Sequence, residues 1–245
     1  MRVIGVIPAR YYSSRLSGKP LVDIGGKPMI YWVYQQAMKV PELDDIYVAT
    51  DDERIVSAVE DFGGQAIMTS SEHATGTDRL AEVADKIFAD WYVNIQGDEP
   101  LIEPETIQAV LKPVLSDSSI EAVNLMTKIA EPTDVTNPSI VKVIVNDDSR
   151  GIYLTRGIAP FPKGSADYDF YKSLGIYAFK SSMLSFFKDT HRGRLECIED
   201  IEMLRLVENG MYVKFVDVET KSIAVDTEYD LEKVRRIFLK ENDNE

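Results

Sequence analysis

Short hydrophobic runs recur through the first half of the chain, and between them apolar positions return every three to four residues. Residues 3–7 (VIGVI) and 46–49 (IYVA) are runs of the kind found in strands buried on both faces. Residues 28–39, between them, read as a helix. Asp51 and Asp52 suit the start of a second helix, with Ile55, Val56 and Val59 as its apolar stripe and Gly63-Gly64 as its end. Residues 65–68 then read as a strand, 77–88 as an amphipathic helix with Leu80, Val83 and Ile87 on one side, and 91–95 as a fourth strand. A helix over 105–115 and a strand over 122–126 continue the series. Strands separated by single helices predict an α/β fold with a mostly parallel, doubly wound sheet and a ligand crevice at the carboxyl ends of the strands.

The rhythm changes beyond Asn137. Residues 140–145, the turn Asn146-Asp147-Asp148 and residues 151–154 read as a hairpin. Pro138, Pro160 and Pro162 mark loops around it, and 172–179 is a further strand. Residues 183–188 and 195–208 read as helices, the second closed by Asn209-Gly210, and 212–218 as a strand. Asp226-Thr227 precedes a charged amphipathic helix over 229–240. The expectation is one domain over 1–245, with about 137–190 and 211–218 forming a smaller β-rich lobe.

Composition narrows the function. Hydrophobic content of 44% with 28% charged residues is that of a globular chain, and the net charge of −14 argues against a broad nucleic-acid surface. Cys197 has no partner for an intramolecular disulfide, and His73 and His191 are too few for a zinc site. No run approaches the roughly 18 apolar residues of a membrane span, and no signal-like segment precedes the first strand, so a cytoplasmic setting is expected. Against this acidic background the first 22 residues carry four basic residues and no carboxylate. A cationic island after the first strand predicts a bound anion.

That island, IPARYYSSRLSGKPLVDIGGKPM over residues 7–29, contains neither GxxxxGK[ST] nor GxGxxG. It is either a solvated loop or a phosphate cradle, in which small residues admit backbone N–H groups while Arg10, Arg15 and Lys19 neutralise charge. Asp98, in NIQGDEP, falls at the carboxyl end of a central strand, where a hard cation would bridge carboxylate and phosphate. Asp226 is either a helix cap or a second carboxylate for the same ion.

Taken together, IPARYYSSRLSGKPL, GGKPMI, VATDDERI, GTDRL, VNIQGDEP, KSLGIYAF and VDTEYDLEKVR cover almost the whole chain and resemble the cytidylyltransferases that make CMP-Kdo, Kdo being 3-deoxy-manno-octulosonate. The resemblance implies a Rossmann-like nucleotidyltransferase sheet and a homodimer. It also implies a Mg2+-dependent reaction in which the anomeric hydroxyl of an acidic 3-deoxy sugar attacks the α-phosphorus of CTP. By the same resemblance Arg10, Ser13, Arg15 and Lys19 hold the triphosphate, with Arg10, Lys19 and Asp98 catalytic, and Asp98 and Asp226 bind Mg2+. Pro8, Ala9, Thr75, Gly76 and Arg79 match positions lining the cytosine and ribose pocket. Gln96, Arg156, Ser173, Tyr177, Glu202 and Met203 match positions near the sugar.

On local grounds several of these have quieter readings: 75–78 as a helix start, Arg79 as a surface cation, Tyr177 as a packed strand aromatic. The chain also departs from the family twice, with Ser173 where a His is usual and Met203 where a Gln is usual. Both changes fall on the sugar side. They admit the same transfer to another acid, such as an amino-substituted Kdo, a nonulosonic acid or a phosphonate. A non-catalytic nucleotide binder is a further alternative, disfavoured by the presence of both Asp98 and Asp226.

Overall fold

The computed structural model describes residues 1–12, 16–164 and 168–242. Its chain divides into two units, Met1–Gln108 with Thr220–Glu245, and Ala109–Glu219. In the first, the opening apolar run becomes β1 (Val3–Ala9), buried along nearly its whole length. Burial on both faces is why the run does not alternate. A short 3-10 turn (Lys19–Leu21) and a small hairpin of β2 (Asp23–Ile24) and β3 (Lys27–Pro28) lead into α1 (Met29–Ala37). There follow β4 (Asp45–Thr50), α2 (Glu53–Asp61), β5 (Ala66–Met68), α3 (Gly76–Lys86), β6 (Trp91–Asn94) and α4 (Pro104–Ala109). The strands of this unit pair in the order β6, β1, β4, β5, all parallel. Asp52 caps α2 by accepting the Arg54 N–H, and Thr75 and Asp78 form a capping box on α3.

The second unit contains α5 (Lys112–Ser116), β7 (Ala122–Lys128), α6 (Pro132–Thr136), β8 (Lys142–Val145), β9 (Gly151–Thr155), β10 (Tyr171–Lys180), α7 (Ser181–Asp189), α8 (Arg194–Glu199), α9 (Leu204–Glu208) and β11 (Lys214–Asp217). Here β7 pairs parallel with β11 and antiparallel with β10, while β8 is antiparallel to both β10 and β9. The β7–β10 register shifts between Ser173 and Tyr177. At that irregularity the fully buried Asn124 donates from its amide to the carbonyls of Leu174 (2.8 Å) and Ile176 (3.1 Å). The chain then returns to the first unit as α10 (Glu228–Asn242), where Leu231 and Val234 join Ile24, Met29 and Val225 in a buried cluster flanked by Trp32 and Phe238.

The α/β class with a mostly parallel sheet and additional antiparallel pairing is as the alternation implied. Two helices are not. The helix expected over 105–115 is split into α4 and α5, because Pro113, in the first turn of α5, has no N–H to continue the ladder. The helix expected over 195–208 is split into α8 and α9 by Asp200, which adopts a left-handed conformation (φ 52°, ψ 52°). The hairpin of β2 and β3 and the short α6 had no counterpart in the sequence reading. Among the described residues no helix is long and apolar enough to cross a membrane.

Candidate functional site

Parallel register brings three strand ends of the first unit together. Ala9 lies opposite Thr50, and Val6 opposite Asn94, so Arg10, Asp51 and the Gln96–Asp98 turn all leave the sheet at one rim. Gly97 lies so close to the end of β1 that an added Cβ would stand 2.9 Å from the Pro8 carbonyl oxygen. Only glycine lets the turn rest there. The returning segment is stitched to it: Val225 N–H donates to the Asp98 carbonyl at 2.9 Å, Ser222 Oγ to Glu99 Oε2 at 2.7 Å, and Thr220 Oγ1 to Glu103 Oε2 at 2.9 Å. The Asp98–Val225 bond aligns the two backbones so that the next side chain, Asp226, comes beside Asp98.

Lys19 occupies the meeting point. Its ammonium donates to Asp98 Oδ2 at 2.5 Å and to Asp226 Oδ1 at 2.9 Å. Burial alone would lower the Lys19 pKa, but the two carboxylates outweigh it and the pKa is raised. The cap of α10 falls to Thr227 and not to Asp226: Thr227 Oγ1 accepts the Asp230 N–H while Asp230 Oδ2 accepts from the Thr227 N–H and hydroxyl. Two carboxylates converging on one positive charge are a donor set that fits a hard divalent cation, which takes oxygen ligands and keeps some waters. Among the described residues no cluster of three or more acidic, His or Cys side chains is gathered for a metal.

Around the same rim, Arg10 is exposed and donates from Nη2 to the His73 carbonyl at 2.7 Å. His73 Nε2 lies 2.5 Å from Glu82 Oε2, which also accepts the Ser70 N–H at 2.8 Å. Arg79, read locally as a surface cation, is instead 0% exposed and donates to Thr69 Oγ1 and, at 3.1 Å, to Asp51 Oδ2. Burial lowers its pKa, Asp51 pulls it back up, and nearby Arg10 lowers it further. Its Nε is buried without a hydrogen-bond partner. The Thr75 hydroxyl is engaged in the cap of α3, and Gly76 is that helix's first residue. Pro8 and Ala9 end β1. Ser13 and Arg15 lie outside the described residues. The first unit thus gathers Pro8, Ala9, Arg10, Lys19, Thr75, Gly76, Arg79, half-buried Gln96, Asp98 and Asp226.

The second unit holds the remaining expected residues. Arg156, matched above to a position near the sugar, donates from Nε to the Glu199 carbonyl (2.6 Å), from Nη1 to that of Pro138 (3.0 Å) and from Nη2 to that of Asp200 (3.1 Å). The helix break at Asp200 exposes two of those carbonyls, so Arg156 and the break form one feature. Each terminal nitrogen keeps a second N–H beyond these bonds. Ser173 Oγ donates to Asn124 Oδ1 at 2.7 Å. Tyr177 is half-buried in β10, Glu202 is half-buried, and Met203 is packed in the core at 2% exposure. Sequence reading missed Asn124, although one polar residue inside the run AVNLM was a usable signal. It also missed Lys142, fully buried with its ammonium on the carbonyls of Asn137, Ile140 and Arg156.

A sequence model described as cytidylyltransferase matches residues 4–222. The 3-deoxy-manno-octulosonate cytidylyltransferase of Fusobacterium nucleatum is 42% identical over 243 residues, 99% of this chain and 98% of its own. That of Escherichia coli is 41% identical over 240 residues, covering 98% and 97%. A solved structure of CMP:2-keto-3-deoxy-manno-octonic acid synthetase complexed with CTP superposes with a TM-score of 0.94 at 41% identity, over 98% of this chain and 100% of that one. A 4-diphosphocytidyl-2C-methyl-D-erythritol synthase structure from Anaerococcus prevotii, at 16% identity over 97% of this chain and 99% of that one, shares the fold with a TM-score of 0.66. The chain belongs to the 3-deoxy-manno-octulosonate cytidylyltransferase family.

Proposed function

We propose that this protein transfers CMP from CTP to the anomeric hydroxyl of 3-deoxy-manno-octulosonate, with Mg2+ held by Asp98 and Asp226. The sugar oxygen forms a bond to the α-phosphorus, the bond from that phosphorus to the bridging oxygen breaks, pyrophosphate leaves, and the hydroxyl proton passes to solvent. The observation that carries this reading is the meeting of Lys19, Asp98 and Asp226 at one strand-end rim in a chain of this family. When bound there, Mg2+ would lower the pKa of the attacking hydroxyl and offset triphosphate charge.

The chain's own residues do the rest. Arg10 and Lys19 offset negative charge on the reacting phosphate and the departing pyrophosphate, with Ser13 and Arg15 on the same triphosphate. Pro8, Ala9, Thr75, Gly76 and Arg79 line the cytosine and ribose pocket. Gln96, Arg156, Ser173, Tyr177 and Glu202 serve the acidic sugar, Arg156 through the N–H groups its three carbonyl bonds leave over, with Met203 packed in the core next to Glu202 rather than presented to the sugar. No covalent enzyme intermediate is required. The same reading assigns residues 137–190 and 211–218 to sugar binding and a homodimer contact, and puts the enzyme in the cytoplasm with its CTP.

Pyrophosphate release with CTP, Mg2+ and a panel of acids tests the reading. Turnover of 3-deoxy-manno-octulosonate above amino-substituted, nine-carbon and phosphonate acids is expected. Turnover of another acid with none of this one contradicts it, and tight CTP binding without turnover of any acid points to a binder. Light scattering at working concentration checks the dimer.

A further inference from the structure

The loop that leaves β1 is tied down by a residue from another element. Tyr11 follows Ala9 by two positions, and the β1–β4 register sets Ala9 opposite Thr50, so the segment after β4 lies beside the segment after β1. From that neighbouring segment Arg54, in the first turn of α2, curls back onto its own cap. Its Nε donates to Asp52 Oδ1 at 2.8 Å and its Nη2 to Asp52 Oδ2 at 2.6 Å, while Asp52 Oδ1 also accepts the Arg54 N–H at 3.0 Å. The fork fixes the plane of the guanidinium. Its central carbon stands 3.3 Å from the Tyr11 ring centroid and 5.9 Å from that of Tyr12.

Tyr11 in turn closes the loop. Its carbonyl accepts the Gly18 N–H at 2.9 Å, and Gly18, at φ 66°, packs beside the Tyr11 ring at van der Waals distance, 3.4 Å from where a Cβ would stand. Lys19 is the next residue. The chain of contacts therefore runs from Asp52 through Arg54, Tyr11 and Gly18 to the ammonium that meets Asp98 and Asp226. An ion pair this exposed, with the Arg54 side chain 52% accessible, contributes little to stability. Its consequence is where the loop sits.

We infer that Arg54 is a positioning residue for the triphosphate loop, acting through the stacked Tyr11 ring to set the place of Lys19. The inference rests on the donor-site role given to that loop above. Arg54 acts at one remove: its fork is on Asp52 and its plane lies over Tyr11.

The test uses the full chain and the variants Arg54→Met, Arg54→Lys, Tyr11→Leu and the double variant Arg54→Met with Tyr11→Leu. Two quantities are read: CTP affinity by calorimetry in the presence of Mg2+, and hydrogen exchange at the Gly18 amide without nucleotide. Arg54→Met and Tyr11→Leu are each expected to weaken CTP binding by about fivefold, the scale of a lost cation–π contact with its pre-ordering. The double variant should be no weaker than the weaker single, and Gly18 exchange should quicken in both singles at little change in melting temperature. Arg54→Lys, which keeps the charge and loses the plane, should fall between. Unchanged Gly18 exchange, additive losses in the double, or wild-type behaviour of Arg54→Lys would each overturn the inference. A wild type that binds no CTP would contradict the proposed function, and the exchange measurement would still decide whether Arg54 anchors the loop.

Discussion

The Lys19 ammonium lies 2.5 Å from Asp98 Oδ2, and the same nitrogen reaches Asp226 Oδ1 at 2.9 Å. The pair of carboxylates is held by backbone rather than by chance of side-chain rotamer, since Val225 N–H is bonded to the Asp98 carbonyl at 2.9 Å. Two carboxylates against one ammonium leave net negative charge, which suits the added cation proposed above. In this account the two acids act as one unit.

Asp98→Asn and Asp226→Asn should each lower kcat by roughly two to three orders of magnitude, the scale of several kcal/mol of metal-borne stabilisation, with a much smaller effect on CTP affinity. In the proposed site the two acids hold one ion, so the double variant should be little worse than the worse single. Steady-state kinetics with calorimetric CTP titration checks this. Independent, additive losses would separate the two residues.

Asn124 gives a prediction for the second unit. Its amide satisfies the Leu174 and Ile176 carbonyls where β10 departs from regular pairing, and its oxygen accepts from Ser173. Asn124→Ala would strand those carbonyls, so the loss in unfolding free energy should be about 2–4 kcal/mol by denaturant titration. Ser173→Ala, which removes a single half-buried hydroxyl, should lose far less. Equal losses would mean the irregularity does not depend on the amide.

Much of this architecture could be read from the chain because strand burial and helix amphipathicity are local. The β1 run and the Asp98 turn were legible as strand ends, and parallel register puts both at one rim. The helix over 195–208 did not break in the sequence reading because both halves keep a compatible apolar pattern, and the left-handed Asp200 is sustained by a partner 44 residues away, Arg156. Arg156 was legible as a sugar-side position but not its bonds to three carbonyls, since carbonyls carry no side-chain signature. Arg79 looked like a surface cation for a similar reason. Its Thr69 and Asp51 partners come from other segments.

Acid titration should reveal the support beneath Arg10. Burial alone would raise the Glu82 pKa, but Lys86, the Ser70 N–H and His73 hold it down, from an ordinary 4.5 to about 2. A depressed carboxyl contributes stability above its unfolded pKa and loses it as pH falls through the folded one. Glu82→Gln should therefore be less stable than the wild type at neutral pH, with the gap narrowing below 4.5 and closing near 2. Denaturant midpoints across that window check the sign. A gap that is constant with pH would exclude the carboxylate as its cause.

Phosphorus NMR of the wild type and Asp98→Asn with CTP, Mg2+ and 3-deoxy-manno-octulosonate tests the central claim most directly. The account predicts stoichiometric appearance of a CMP–sugar phosphodiester and pyrophosphate with the wild type, and near-complete loss of both with Asp98→Asn despite retained CTP binding. Product formation by the variant at the wild-type rate, or no phosphodiester from the wild type, would contradict it.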